Sequence, residues 1–404
     1  MGYSLNKPRS FHSYRTLKMP ALEPQSKVLL TGTKPTKLNP PTHKSNKNNM
    51  LAGGSGFLGA WTLKNLLESN LRIRAVVRSR SKADYLLDCL QQHRSNLEFR
   101  IVKDITVPGA FDEVFEDGMV QGVIHSASPM PTTNPDEDPD LHIKPAVEGT
   151  LSVLRSAAKI GTVKRVEITS SLVAALEPKK APVTYTEESW NDTAVKTVQE
   201  RGKGAPPYSK YTASKVLAER SAWEFVKEEN TSFDLVTLLP SYIWGVRTFS
   251  FLVHLTNVSK PIISETTANI KGSNAYLLDR LKHDRLEKLT AQEALMELRM
   301  VDVRDLAVLH VQALLVPAAG GERILASANE LTWQRCFDVI NQSGIPGMKP
   351  IRGYPEKLKG DWKPLIVISR EKAKSILGIT YRPAEETIKD LVADAIRIGW
   401  AQEP

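Results

Sequence analysis

The sequence has very little of the chemistry that cross-links and metal sites require. Its 404 residues include only two cysteines, Cys89 and Cys336, which lie far apart and outside any C-x-x-C pattern. They cannot supply a disulfide framework or a cysteine zinc site. The histidines are scattered and form no H-E-x-x-H motif, so no metal site is predicted. A reducing, cytoplasmic compartment is expected.

Other absences exclude whole classes of function. No run approaches the roughly 18–20 apolar residues that a membrane span needs, so no membrane partner is predicted. The chain also lacks a P-loop and a G-x-S-x-G elbow, which argues against phosphoryl transfer and against an α/β-hydrolase. A hydrophobic share of 41% with 25% charged residues is ordinary for a globular protein.

The positive charge is concentrated at one end of the chain. Residues 1–52 hold nine Lys or Arg side chains against Glu23 alone, which gives +8 of the formal net charge of +9. The remainder is nearly neutral, so the charge gives no reason to predict binding of nucleic acid. Residues 1–25 are expected to be a basic extension that precedes the fold.

Short apolar strands alternate with amphipathic helices along most of the chain. This alternation predicts parallel βαβ units and therefore a doubly wound α/β sheet of the Rossmann type, spanning residues 26–245. Residues 246–404 are less regular and are predicted to form a smaller substrate-binding lobe. The strands are expected at residues 27–32, 73–77, 97–102, 120–125, 163–169 and 233–239.

A glycine motif stands where the first helix should begin. Gly54, Gly56 and Gly59 precede an apolar helical stripe, but the strand that should lead into them ends at Gly32. If residues 33–53 are removed, the text reads VLLTG-GSGFLG, and Gly32, Gly56 and Gly59 form a G-x-x-G-x-x-G fingerprint. Glycines at such a turn let a pyrophosphate approach a helix N-terminus.

Two cations follow the second strand. Arg78 stands where a carboxylate would bind a ribose hydroxyl, and Lys82 comes four residues later. Solvated cations at a helix start are common, but no acidic residue is available before Asp84. This pattern favours the additional phosphate of NADP.

A tyrosine and a lysine are spaced to share one face of a helix. Tyr211 and Lys215 are four residues apart, and the ammonium can favour the phenolate of a residue whose unperturbed pKa is about 10. Tyr-x-x-x-Lys is common by chance, but residues 169–171, Thr-Ser-Ser, end a strand and offer hydroxyls to a substrate oxygen. Tyr208 is a competitor without a cation four positions later.

Taken together, the motifs resemble an extended short-chain dehydrogenase/reductase of the NAD-dependent epimerase/dehydratase family. The group most similar to the chain is that of dihydroflavonol reductases and fungal NADPH-dependent aldehyde or methylglyoxal reductases. The resemblance covers roughly residues 26–245 and 299–345 and rests on VLLTG with GSGFLG, AVVRSRSK, VIHSASPM, VKRVEITSSLVAA, YTASKVLAE, LPSYIWG and VDVRDLAVLHVQAL.

The resemblance implies a reaction and a set of site residues. Hydride transfer from NADPH would reduce an aldehyde or ketone, with Tyr211 as proton donor assisted by Lys215 and Ser171. Ser171 is preferred to Ser170 because it is the last serine before the chain leaves the strand. A small-molecule carbonyl substrate, no metal, and a monomer or homodimer are implied. Cofactor contacts are implied for Gly32, Gly54, Ser55, Gly56, Phe57, Leu58, Gly59, Arg78, Lys82, Asp104, Ile105, Ala127, Ser128, Tyr211, Lys215, Pro240 and Ile243.

Two segments depart from the family pattern. Residues 33–53 interrupt the glycine fingerprint, and residues 246–260 separate Gly245 from Pro261, where the family continues Gly-Pro. Both can be encoded with GT at the start and AG at the end, so we hypothesise that each is an unspliced intron translated in frame. Alternatively they are surface loops, since closure cost grows slowly with length.

Alternative functions also stay open. A sugar-nucleotide epimerase or a sterol-type dehydrogenase would share the fold and the triad. A non-catalytic cofactor-binding protein is the alternative if the two segments are real, because residues 33–53 would then lie over the pyrophosphate site.

Overall fold

Seven parallel strands form the central sheet of the computed structural model, which describes residues 22–23, 25–31, 56–90, 93–127, 134–247, 267, 270–358 and 362–402. The order across the sheet is β10-β7-β5-β4-β1-β2-β3. The predicted α/β doubly wound fold is therefore confirmed. The strands are β1 (Lys27–Thr31), β2 (Arg72–Val77), β3 (Leu97–Ile101), β4 (Val120–His125), β5 (Arg165–Thr169), β7 (Asp234–Pro240) and β10 (Arg323–Ala326).

Helices cover both faces of this sheet, so most strand residues are buried and apolar rather than alternating. The helices of the first part of the chain are α1 (Phe57–Glu68), α2 (Arg80–Cys89), α3 (Asp112–Phe115), α4 (Asp140–Ile160), α5 (Asp192–Arg201) and α6 (Pro207–Glu228). One core lies between the sheet and α1 with α2, and the other between the sheet and α4 with α6.

A smaller lobe is built on the carboxyl side of the sheet. Its strands are β8 (Tyr242–Trp244), β9 (Glu297–Asp302) and β11 (Asn329–Thr332), which form one sheet, and β12 (Ile366–Ile368), which pairs with β6 (Val183–Tyr185). Its core surrounds Trp244, Trp333 and Phe337. The remaining helices are α7 (Gly272–Arg280), α8 (His283–Glu287), α9 (Ala291–Ala294), α10 (Val303–Leu315), α11 (Trp333–Gln342), α12 (Glu371–Leu377) and α13 (Ala384–Arg397).

The chain returns to the central sheet after entering the smaller lobe. Strand β10 pairs with β7, and α10 packs beside α1 on the sheet. The sequence predicts that the Rossmann domain ends at residue 245. In the structure, α10 and β10 come later in the chain and still complete the layer that begins at β1. The sequence did not reveal this return, since β10 has only four residues.

The amino end of the sheet is fixed by a buried ion pair. Arg165 and Asp234 are register partners on β5 and β7, and the guanidinium donates two hydrogen bonds to the carboxylate, at 2.7 and 2.9 Å. The same guanidinium donates to the carbonyls of Ala313 and Val316 at the end of α10. Such a fully bonded pair ties two strands to a helix without leaving a charge unmatched.

Two further findings bear on the exclusions made from the sequence. No helix in the described ranges has the length and apolarity to cross a membrane. Cys89 and Cys336 are buried in separate hydrophobic cores, one beneath the central sheet and the other in the smaller lobe.

Candidate active site

The candidate site lies at the carboxyl end of the central strands. Strands β1 and β4 end side by side, and the Thr31 hydroxyl lies 2.6 Å from Nδ1 of His125. Strand β5 ends on the other side of β4, and the chain then continues through Ser170 and Ser171. In parallel sheets this edge is where ligands bind. His125 is the last residue of β4 and is hydrogen-bonded only at Nδ1 among the described residues.

The structure brings Ser171, Tyr211 and Lys215 together. Ser171 immediately precedes a short 3₁₀ turn, Leu172–Ala174, and its side chain lies close enough to the Tyr211 phenol to influence the pKa of that group. Helix α6 begins at Pro207, so Tyr211 lies in its second turn and Lys215 one turn later. Nζ of Lys215 is 5.8 Å from the centroid of the Tyr211 ring. A hydroxyl, a phenol and an ammonium therefore share one small volume.

Burial shifts the pKa values of the two titratable groups in opposite directions, and both groups are still mostly protonated at neutral pH. Burial raises the pKa of Tyr211 to about 12, although Ser171 acts in the opposite direction. Burial also lowers the pKa of Lys215 to about 8, although the charge of Glu219 opposes that shift. The sequence predicts that the Lys215 ammonium favours the phenolate of Tyr211. In the structure, burial of the phenol has the larger effect on its pKa and raises it.

The two candidate serines have different partners. Ser170 is buried, and its hydroxyl donates to Oε2 of Glu219 at 2.7 Å. Ser171 is the serine whose side chain influences the pKa of Tyr211. The competing tyrosine, Tyr208, is 58% exposed at the start of the helix.

The described part of the glycine motif forms the start of helix α1. Gly56 is the N-cap of α1, no side chain caps the helix there, and its first turn has no acidic residue. Phe57 and Leu58 follow half-buried, and Gly59 is buried. Backbone N–H groups at such a terminus suit a pyrophosphate. Three other predicted contacts, Gly32, Gly54 and Ser55, lie outside the described residues.

The predicted phosphate cations lie together after β2. Burial and the nearby charge of Arg78 both lower the pKa of Lys82, and burial lowers the pKa of Arg78. Two like charges held this close, partly desolvated, suit a doubly charged phosphate.

The next strand supplies a close-packed turn beside these cations. Asp104 Oδ1 accepts from the backbone N–H and the hydroxyl of Thr106, at 2.9 and 2.7 Å. Ile105 is buried against α4, where a Cβ at Gly149 would lie 2.8 Å from Ile105 Cδ1. The conformation of this turn is therefore fixed, as is required of a surface against which a planar ring packs.

Three other predicted cofactor contacts lie along the same edge of the sheet. Ala127 is buried just after β4, Pro240 is the last residue of β7, and Ile243 lies half-buried in β8. Ser128 lies outside the described residues. A phosphorylated dinucleotide fits this arrangement. It would meet the N-terminus of α1, which has no side-chain cap, the cations Arg78 and Lys82, and this row of strand ends.

A small polar cavity lies behind Lys215. It is lined by His125, Ala127, Thr150, Ile168, Thr169, Ser170, Lys215, Ala218 and Glu219. Nε2 of His125 and Oγ1 of Thr169 are buried there, and neither has a hydrogen-bond partner among the described residues. Burial and the charge of Lys215 lower the pKa of His125 to about 3, so this imidazole is neutral at physiological pH.

Comparisons with known proteins agree with this geometry. The family model for the NAD dependent epimerase/dehydratase family matches residues 50–325. An oxidoreductase of Schizosaccharomyces pombe is 31% identical, over 86% of this chain and 96% of its own. The NADPH-dependent methylglyoxal reductase of Saccharomyces cerevisiae is 29% identical, over 86% and 97%. The crystal structure of Gre2 from Candida albicans in complex with NADPH superimposes with a TM-score of 0.72 at 28% identity, covering 86% and 98%.

Sequence reasoning missed three charged residues that support the site, namely Lys210, Glu219 and Arg323. Glu219 follows Lys215 by four residues, a spacing that could have drawn attention to it. Arg323 is more than a hundred residues away, so no local pattern pointed to it. Lys210 stands among polar residues at a helix start, which ordinarily indicates a solvated side chain.

Lys210 fixes the start of the tyrosine helix to two loops. It is fully buried, and its ammonium donates hydrogen bonds of 2.7 Å to the carbonyls of Pro135, Glu137 and Lys203. All three donors of the ammonium are thereby used. The loop before α4 and the turn before α6 are therefore held against the residue that precedes Tyr211.

We predict that Lys210→Met lowers the free energy of unfolding by about 3 kcal/mol, because the buried side chain loses three hydrogen bonds that methionine cannot replace. Urea denaturation followed by tryptophan fluorescence measures the change. Lys227→Met is the matched control, since Lys227 is exposed on the same helix and its loss should cost under about 0.5 kcal/mol. Equal stability of the two variants would contradict this role for Lys210.

Proposed function

Because the chain belongs to the NAD dependent epimerase/dehydratase family, we propose that it is an NADPH-dependent reductase of aldehydes or ketones. The observation that carries the proposal is the grouping of Ser171, Tyr211 and Lys215 at the carboxyl edge of the sheet. The methylglyoxal reductase of Saccharomyces cerevisiae and the NADPH complex of Gre2 support this choice of substrate class and cofactor.

NADPH, when bound, supplies the hydride that reduces the carbonyl carbon. Arg78 and Lys82 would bind its additional phosphate, and the N-terminus of α1 with the glycine motif would bind its pyrophosphate. Asp104 and Ile105 would flank the adenine, and Lys215 would hold the nicotinamide ribose. We extend the proposal to the other cofactor contacts named from the sequence, which are Gly32, Gly54, Ser55, Gly56, Phe57, Leu58, Gly59, Ala127, Ser128, Tyr211, Pro240 and Ile243.

The protein's own residues handle the proton. Tyr211 is protonated at neutral pH, so its phenol can donate a hydrogen bond to the substrate oxygen and then its proton as the alcohol forms. The Ser171 hydroxyl can donate a second hydrogen bond to the same oxygen. As the phenol loses its proton, the Lys215 ammonium stabilises the phenolate, which then takes a proton from solvent.

We predict that Tyr211→Phe lowers kcat/KM for NADPH-dependent carbonyl reduction by about 10³-fold, because the proton donor is lost. The NADPH Kd, from quenching of tryptophan fluorescence, should stay within about threefold. Tyr208→Phe is the control and should retain activity, since Tyr208 is mostly exposed. Undiminished turnover by Tyr211→Phe would refute the assigned role.

We predict that Arg78→Ala raises the KM for NADPH by about 10- to 100-fold and leaves the KM for NADH almost unchanged. A charge-assisted hydrogen bond to the additional phosphate contributes about 1.5–3 kcal/mol, and NADH lacks that phosphate. Steady-state kinetics with both cofactors measure the ratio. Arg80→Ala is the control, because the Arg80 side chain is 80% exposed and paired with Asp84. Equal loss with both cofactors would exclude a phosphate role.

We predict that a chain lacking residues 33–53 and 246–260 binds NADPH more tightly than the full chain, because it restores the strand–turn–helix junction beneath the pyrophosphate. Fluorescence titration of both chains measures this. A chain lacking only residues 33–53 is the control, because Val246 accepts a hydrogen bond from Trp61 and Arg247 donates one to Asp394. If the full and shortened chains bind NADPH with equal affinity, the segments are tolerated loops. Transcripts that always retain the segments would contradict the intron hypothesis.

A further inference from the structure

Glu219 is a buried carboxylate to which the proposed reaction assigns no part. Its side chain has no exposed surface, and four donor atoms of three residues surround its two oxygens. Ser170 donates to Oε2 at 2.7 Å, and Thr237 donates to Oε1 at 2.9 Å. Arg323 donates from Nε to Oε1 at 2.8 Å and from Nη2 to Oε2 at 3.4 Å. A carboxylate with this many donors is held in one orientation.

Arg323 is equally constrained on its other sides. It is fully buried on β10, where its register partner is Thr237, and it donates to the carbonyls of Glu187 and Ser189 at 2.8 and 2.6 Å. Its guanidinium also lies 3.9 Å from the centroid of the Trp190 ring. Contacts other than Glu219 therefore fix the position of the Arg323 guanidinium. Because Glu219 is bonded to this guanidinium, the carboxylate also keeps a fixed position relative to the sheet.

This fixed carboxylate lies next to the lysine of the site. Lys215 and Glu219 are four residues apart on α6, so their side chains share one face of the helix. Both line the small cavity at the ends of β4 and β5. Burial of an ammonium in this cavity favours its neutral form, and a nearby anion opposes that tendency.

We propose that Glu219 is a positioning residue for the reaction. Its carboxylate, held by Arg323, Ser170 and Thr237, is the buried counter-charge that keeps Lys215 an ammonium at neutral pH. The inference rests on the proposed function, in which Lys215 acts as a cation.

The other charged groups near α6 do not supply this counter-charge. Tyr211 and neutral His125 are the further titratable groups that face Lys215, and neither carries negative charge at neutral pH. Other charged side chains on the described elements packed against α6 have partners of their own. These pairs are Asp192 with Arg220, Arg155 with Glu148, Lys159 with Asp112, Lys144 with Asp140, Lys196 with Glu200, and Glu167 with His310.

Two substitutions that break the same ion pair should have opposite effects on Lys215. Glu219→Gln removes the anion and leaves Arg323 as a nearby cation, so the pKa of Lys215 should fall by about one unit or more. Arg323→Gln removes the cation that offsets the anion, so that pKa should rise. A purely structural role predicts the same direction for both, because both remove one half of a buried pair.

The pH dependence of kcat/KM is the first measurement. Activity requires protonated Lys215 and is lost as pH rises through its pKa, so the alkaline limb should move to lower pH in Glu219→Gln and to higher pH in Arg323→Gln. Glu219→Gln should lose about fivefold or more of kcat/KM at pH 8 and recover to within about threefold of the wild type at pH 6. Asp234→Asn is the matched control, since it breaks a comparable buried pair at the opposite end of the sheet and should leave the limb in place.

A second measurement does not depend on turnover. The rate at which acetic anhydride acetylates Lys215, followed by peptide mass spectrometry across pH, should show the same two opposite shifts. If the wild type reduces no carbonyl while the acetylation shifts occur, the proposed function fails and the electrostatic role of Glu219 stands. If both variants shift in one direction or neither shifts, the proposal is overturned. Should Glu219→Gln not fold, the upward shift in Arg323→Gln decides alone.

Discussion

The candidate site depends on charged side chains that helix α6 carries into the protein interior. A buried charge is tolerated only when hydrogen bonds and opposite charges replace the water that it loses. Lys210 meets three carbonyls, and Glu219 meets one guanidinium and two hydroxyls. The groups that compensate the buried Lys210 and Glu219 come from different parts of the chain. The position of α6 is therefore set by polar contacts as well as by the hydrophobic core.

The two ends of the central sheet have different roles. At the amino end, Arg165 and Asp234 form a closed pair that also binds the end of α10. At the carboxyl end, His125 and Thr169 each keep a buried polar atom that has no hydrogen-bond partner among the described residues. Groups with remaining hydrogen-bonding capacity can interact with a ligand. These two atoms therefore add to the reasons for placing the candidate site at this edge.

Much of this arrangement could be predicted from local patterns. The strands, the edge on which ligands bind and the Tyr211–Lys215 spacing all follow from short windows of sequence, and the structure places these elements as expected. Arg323 could not be predicted, because the chain traverses most of the smaller lobe before β10 returns beside β7. Lys210 could not be predicted either, because its partners are backbone carbonyls, which no side-chain pattern encodes.

The return of β10 makes the smaller lobe part of the electrostatics of the site. Tyr211, Lys215 and Glu219 follow one another at intervals of four residues, so a phenol, an amine and a carboxylate form one stripe on α6. Arg323 binds the last member of this stripe from β10, although residues 220–322 separate the two in sequence. A change that displaces β10 would therefore alter the hydrogen bonds of Glu219, which lines the same cavity as Lys215. Under the proposed function, a change in the smaller lobe would thus reach the residues proposed for proton transfer without contacting the substrate.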